Sequence, residues 1–333
     1  MLRMVPLPCK CRGGIRGLRG VTAAAAAAIA PAMSASRLHP RPAIPFAVAT
    51  LGIALFSGMD ALMKGLSLAI GTYNALLWRT LAGAAIGGAL YLASRSPRPG
   101  RAALRVHLIR GTMGSLMALL FFWGLARVPM AQAIALAFVA PLIALYLAAV
   151  MLKERIERGA ILASLLGFAG VVVILVGQAQ AELGREALLG SIAILASAGL
   201  YAWNIILMRQ QAQLAGPVEI AFFVALIMAA CFALAAPFLA VAPPAEQLPA
   251  IIGSALLALG SLMLLSWAYA RAEAQRLAPV EYTGFVWASI FGWLIFAEPI
   301  QPLTLAGAAM IVGACWAATR PHAAPMPAVE AGA

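Results

Sequence analysis

Residues 107–127 read HLIRGTMGSLMALLFFWGLAR, and the sixteen residues between Arg110 and Arg127 carry no ionisable group. A stretch of about twenty mostly apolar residues is what a helix needs to cross the hydrocarbon core of a bilayer. Its ending returns 144 residues later, where Trp123-Gly-Leu-Ala-Arg127 falls on Trp267-Ala-Tyr-Ala-Arg271. At the same offset Asp60 falls on Asn204, Ala144 on Ala288 and Glu154 on Glu298. Shared residues at one common offset mark an internal duplication, and the size of the unit decides the fold.

Working outward from that stretch, the chain divides into ten apolar spans. They are 44–64, 73–93, 107–126, 130–151, 159–178, 187–208, 217–241, 249–270, 278–297 and 303–319. Pro129, with Arg127 and Gln132 beside it, marks the turn between the third and fourth. The composition agrees: 64% of residues are hydrophobic, 10% are charged, and mean hydropathy is +0.96. A soluble domain runs near half apolar and about a quarter charged, so lipid is the solvent this surface is built for. Gly83 and Gly87, and likewise Ala309 and Gly313, have the small-xxx-small spacing that lets helices approach closely in a membrane. The fold expected is an all-α integral membrane protein.

Each repeat holds five spans, and five is odd. The second copy therefore enters the membrane from the opposite side, which gives two inverted five-helix repeats. The expected organisation is a tail or misassigned start over 1–43, a first repeat over 44–178, a second over 187–320, and a short tail over 321–333. With the N-terminus inside, fourteen Lys and Arg fall on the cytoplasmic side and only Lys64, Arg127 and Arg185 on the other. That bias predicts cytoplasmic N- and C-termini in the cell (inner) membrane. The first 42 residues hold seven cations, no acid and an alanine run from Ala23 to Ala28. They read as a basic tail, a weak targeting segment, or a stretch preceding a true start at Met33.

The net charge of +12 sits in loops and tail, so it reports topology and not nucleic-acid binding. Cys231 and Cys315 lie in apolar runs, and the Cys9-x-Cys11 pair has no second cysteine pair or histidine cluster to complete a metal site. His39, His107 and His322 have no acid or metal-ligand partner at useful spacing. No P-loop is present. No cofactor is expected, and an enzyme is not; a membrane-embedded enzyme or a structural membrane protein stands as the alternative to transport.

Inverted repeats serve alternating access, with the solute between the halves near mid-membrane. The chain also resembles the drug/metabolite transporter superfamily, in its ten-helix EamA branch, over about 44–320. The resemblance rests on the five-plus-five layout, on Ala140-Pro141 in an apolar helix running into Lys153-Glu154, on Ala297-Glu298 as counterpart, and on the glycine-bearing helices that follow. Phe285 replaces the proline in the second half, which departs from the pattern. The resemblance implies carriage of a small metabolite, such as an amino acid, nucleobase or vitamin-like solute, without ATP. A proton as coupling ion and a homodimer are left open as partners.

Charges inside the spans are the site candidates, because they are costly there and are functional by default. Asp60 and Lys64 are four apart on one helix face, and Arg79 follows Asn74 in the next span. Asp60 and Arg79 lie equally deep about the first hairpin, so they are expected either to pair as a pin or to form a solute site. In the second reading Arg79 grips a carboxylate or phosphate and Asp60 carries a proton or neutralises Arg79. Asn204 is the counterpart of Asp60. Lys64 and Arg110 are expected to snorkel towards the headgroups. Trp123 and Trp267 read as interface anchors or stacking platforms, and Tyr282, beside Glu281, as a vestibule residue. Pro141, Glu154 and Glu298 read as structural, each Glu favouring the dipole of the helix that follows it. The few charges favour a neutral or zwitterionic solute over a polyanion.

Overall fold

A computed structural model describes residues 43–94, 98–140, 142–144, 147, 158–180, 184–269, 271 and 280–319. Pro141, Glu154 and both tails lie outside the described residues. Among those described there is no strand, and ten helices have eight residues or more. They are α1 (Ala43–Ile70), α2 (Thr72–Ala93), α3 (Arg101–Leu125), α4 (Met130–Ala137), α5 (Arg158–Gln180), α6 (Gly184–Leu214), α7 (Pro217–Ala233), α8 (Leu248–Tyr269), α9 (Thr283–Phe296) and α10 (Pro302–Thr319). Five stretches, in α1, α2, α3, α6 and α8, are long and apolar enough to cross a bilayer, and shorter apolar helices accompany them. The protein is a multi-pass helical membrane protein.

Helix pairing follows the repeat. α1 packs on α8 and α6 on α3; α1 on α9 and α6 on α4; α2 on α8 and α7 on α3. α2 also packs on its own counterpart α7, and α5 on α10. Exchanging the halves maps this pattern onto itself. Close approaches give the directions. Gly52 meets Leu265 while Gly253 meets Leu62, so α1 and α8 are antiparallel. Gly124 meets Gly190 while Arg110 reaches Gln211, so α3 and α6 are antiparallel. The tight turn at Gly71 (φ 78°), a left-handed backbone that costs glycine nothing, sets α2 antiparallel to α1. α2 meets α7 antiparallel, Tyr73 at Phe232 and Gly87 at Phe222, while α3 meets α7 in parallel, His107 at Glu219 and Gly114 at Met228, so α3 runs parallel to α1. α1 and its counterpart α6 therefore point opposite ways, which is the inversion.

Two spans differ from their expected bounds. α1 continues six residues past Lys64, because the lysine is neutralised inside the bundle and only Gly71 ends the helix. α7 stops at Ala233 instead of running to 241. Pro237 cannot donate into an α-helical ladder, and a separate turn, Ala236–Leu239, follows. The Ala309/Gly313 spacing is not the contact it suggests, since nothing lies near Gly313. α5 and α10 instead meet where a Cβ on Gly170 would stand 2.7 Å from the Gly307 carbonyl. Gly87, by contrast, does lie against the Phe222 backbone.

The fully buried large side chains concentrate at the end of the bundle that carries Gly71: Met59, Met63, Leu66, Leu76, Leu125 and Met130. The opposite end, at the α6–α7 corner around Gly216, is less filled. Large apolar side chains such as Leu92, Leu234, Phe238 and Trp293 are exposed on the outside of the bundle, a surface that suits lipid and not water.

Candidate functional site

A cavity of about 380 Å³ lies between the halves. Its walls come from α2 and α3 of the first repeat and from α6, α7 and α8 of the second. Among the described residues, the charged ones on it are Arg79 and Arg110, and no carboxylate lines it. The remaining wall is largely apolar, including Ile86, Met208, Ile220, Met228 and Leu262, with Thr80 and Ser266 as polar exceptions. It reaches the α6–α7 corner at Ala215 and Pro217. Eight residues of α2 separate Arg79 from Gly87 on the wall, a depth of about 12 Å at helical rise.

Arg79 and Asp60 do not form the ion pair that their mirror positions suggest. Asp60 is buried, and neither of its carboxylate oxygens has a hydrogen-bond partner among the described residues. Arg79 is the cation whose field acts on it, but no contact within ion-pair distance joins them. The Arg79 guanidinium instead sits 5.8 Å from the centre of the Phe122 ring and faces the cavity. Equal depth in the membrane fixes how far two residues lie from the hairpin, but not the angle at which each leaves its helix.

Lys64 does not snorkel. It is buried, its Nζ donates to the Val128 carbonyl at 2.6 Å, and it forms an ion pair with Glu298. The other oxygen of Glu298 accepts the Met130 N–H at 2.7 Å. Glu298 thus does satisfy a helix N-terminus, but that of α4 and not that of the α10 that follows it. Left-handed Ala297 (φ 52°) turns the chain so that the carboxylate swings back over Gly292. One lysine, one glutamate and the α3–α4 turn thereby tie both repeats together at the Gly71 end. At the repeat offset Lys64 corresponds to Met208, which lines the cavity at the other end.

Arg110 does not snorkel either. Its Nε donates to Asn204 Oδ1 at 3.1 Å and its Nη1 donates to Gln211 Oε1. Gln211 in turn bonds His107 Nδ1, and His107 Nε2 lies 3.1 Å from Glu219 Oε1. His107, fully buried, therefore has an acid partner 112 residues away, contrary to the sequence expectation. Sequence reading missed Gln211 and Glu219. The signal was Asn204 and Gln211, two amides seven apart on one face of an apolar helix.

The remaining candidates stand apart from the cavity. Asn74 Oδ1 accepts the Val241 N–H at 2.9 Å, and Trp78 donates to the Val241 carbonyl, so both fasten the loop after α7. Arg127 stacks 3.6 Å from the Trp123 ring centre and pairs with exposed Glu186, and Arg271 lies 4.2 Å from that of Trp267. Tyr282 packs edge-on against Phe138 at 5.3 Å.

The model of the EamA-like transporter family matches residues 43–176 and again 188–320. The chain belongs to the EamA-like transporter family. Similar proteins include the pseudopaline exporter CntI of Pseudomonas aeruginosa, 26% identical over 82% of this chain and 95% of the relative. A riboflavin transporter of Brucella anthropi is 24% identical over 65% of this chain and 78% of its own length. A crystal structure at 23% identity, spanning 84% of this chain and 98% of its own, superposes with a TM-score of 0.56 and shares the fold. As an EamA-like protein the chain is a transporter of small molecules across a membrane.

Proposed function

We propose that the protein carries a small organic solute with one anionic group, amino-acid-like or vitamin-like, across the cytoplasmic membrane by alternating access. One observation carries this: Arg79 faces a cavity shared by both repeats while its guanidinium has no hydrogen-bond partner among the described residues. A guanidinium in a mostly apolar cavity is a fork for a carboxylate or phosphate. The apolar wall around it suits the body of a small metabolite. Asp60 serves as the counter-charge to Arg79 when the solute is absent.

In the orientation set by the loop cations, the cavity faces the cytoplasm and the Lys64–Glu298 tie closes the external end. This is the loading state for export, and the two repeats, 44–178 and 187–320, rock to exchange it for the opposite one. The names of two relatives, an exporter of pseudopaline and a transporter of riboflavin, support a small organic cargo.

The test is counterflow in proteoliposomes loaded with labelled glutamate, citrate, riboflavin or choline. A carboxylate solute should exchange in wild-type vesicles and fail with Arg79→Gln at equal inserted protein. Equal exchange by the variant, or exchange of riboflavin or choline without any carboxylate solute, would overturn the anion reading. Recovery of chemically altered solute would instead favour a membrane-embedded enzyme.

A further inference from the structure

Donor and acceptor chemistry fixes the direction of the chain of bonds that leaves the cavity at Arg110. A guanidinium only donates, so the Gln211 oxygen must face Arg110. The Gln211 NH₂ then faces His107 Nδ1, which can accept from it only while that nitrogen carries no proton. The ring proton therefore sits on Nε2 and is donated to Glu219 at 3.1 Å. Every group in the line has one orientation, and each orientation depends on the next.

Now let His107 Nδ1 take a proton. Two donors would face each other, so Gln211 must turn its oxygen to the ring. Its NH₂ would then confront Arg110, again donor against donor, and that bond is lost. Asn204 remains Arg110's partner. We propose that His107 is a proton-binding site which, through the Gln211 amide, sets whether Arg110 is held to α6 by two amides or by Asn204 alone, with Nη1 then free to grip the solute's anionic group. The proposal rests on the reading of the cavity as the solute site, and it makes loading proton-linked from the cavity's own wall.

Among the described residues, the charged and titratable groups near His107 are Glu219 on α7, Arg110 on its own helix, and Tyr91 on α2, which reaches it through Phe223. Tyr201 of α6 lies within electrostatic reach of Arg110. Phe223 stacks on the imidazole at 5.1 Å with the planes 6° apart, which holds the ring for both bonds. The side chains of His107 and Glu219 are 0% and 8% exposed, so bulk water does not supply alternative partners.

The test uses the full chain in nanodiscs, labelled with ¹⁵N in histidine rings and arginine side chains, across pH 5 to 9 (about the range in which histidine titrates). Signals are assigned by loss in His107→Gln and Arg110→Lys. In wild type the Arg110 Nη signals should move with the same midpoint as the His107 ring, because it is Nη1 that loses the Gln211 oxygen. Gln211→Met should abolish that co-movement. Gln211→Glu, which accepts from both neighbours, should keep Arg110 held at every pH. An Arg110 signal indifferent to His107 titration, or co-movement surviving Gln211→Met, would overturn the relay. The counterflow assay is independent of this readout. Co-movement without carboxylate exchange would sink the solute reading and leave the relay, and exchange without co-movement would do the reverse.

Discussion

At the Gly71 end a buried lysine spans the two repeats; at the Gly216 end its counterpart by the 144-residue offset is methionine. Lys64 gathers Glu298, the Val128 carbonyl and, through Glu298, the Met130 N–H into one closed set. Met208 offers no charge and borders open space. The duplicated fold supplies the same helix crossings at both ends, so the fold alone cannot explain why one end is sealed and the other hollow. A single position of difference contributes: Lys64 pairs with Glu298 at the sealed end, and its counterpart at the open end, Met208, carries no charge. On the alternating-access reading proposed above, inverted repeats would provide two equivalent gates, and unequal side chains would decide which gate rests closed.

The comparison can be broken most severely at Lys64. Lys64→Met copies the residue of the open end onto the sealed one and leaves Glu298 without its cation. Orphaning a buried charge costs roughly 3–5 kcal/mol, which thermal unfolding in detergent should report. The double variant Lys64→Met with Glu298→Gln should recover most of that loss, because no unpaired charge remains. If the single variant is as stable as wild type, the ion pair does not hold the sealed end.

Next in size is the open end. If Arg79 grips the solute as proposed, Arg79→Gln removes a charge-assisted hydrogen bond worth about 1.5–3 kcal/mol, so solute affinity should fall roughly 10- to 100-fold. Since Arg79 has no ion-pair partner within the described bundle, yield should change little. A fall in yield matching the fall in transport would assign Arg79 to structure.

Smaller effects sharpen the geometry of the seal. A Cβ on Gly292 would stand 2.9 Å from Glu298 Oε2. Gly292→Ala should therefore displace the carboxylate and destabilise by about 1 kcal/mol, a typical cost for crowding a packed site. Ala297 holds a left-handed backbone that glycine adopts freely. Ala297→Gly should stabilise by about 1 kcal/mol or less. Opposite signs at two positions five residues apart would locate the strain in the turn that aims Glu298.

Much of this architecture is legible in the order of the amino acids. The apolar spans, the offset carried by Trp123 and Trp267, and the odd number of spans per repeat together imply an inverted ten-helix bundle, because lipid forces every span to satisfy its own backbone. Arg79 stands out as an intramembrane charge, and the structure places it on the cavity. The partners of the charges are not legible. Lys64 and Glu298 lie 234 residues apart, and His107 and Glu219 lie 112 apart. Sequence spacing reports which residues share a helix face, but not which helix that face meets. For the same reason Arg110 reads as a snorkelling residue, when Asn204 and Gln211 on α6 hold it at the cavity wall.

The central claim is that the cavity is open to one side because the Lys64–Glu298 tie closes the other. Sided labelling tests it directly. Ala258 lines the cavity on α8. Ala258→Cys, in a chain otherwise without cysteine, should react with a membrane-impermeant thiol reagent from the cytoplasmic face and resist it from the external face. Adding Lys64→Met and Glu298→Gln should make the same cysteine reactive from the external face as well. Reaction from outside with the tie intact, or continued protection after both tie residues are replaced, would contradict the account.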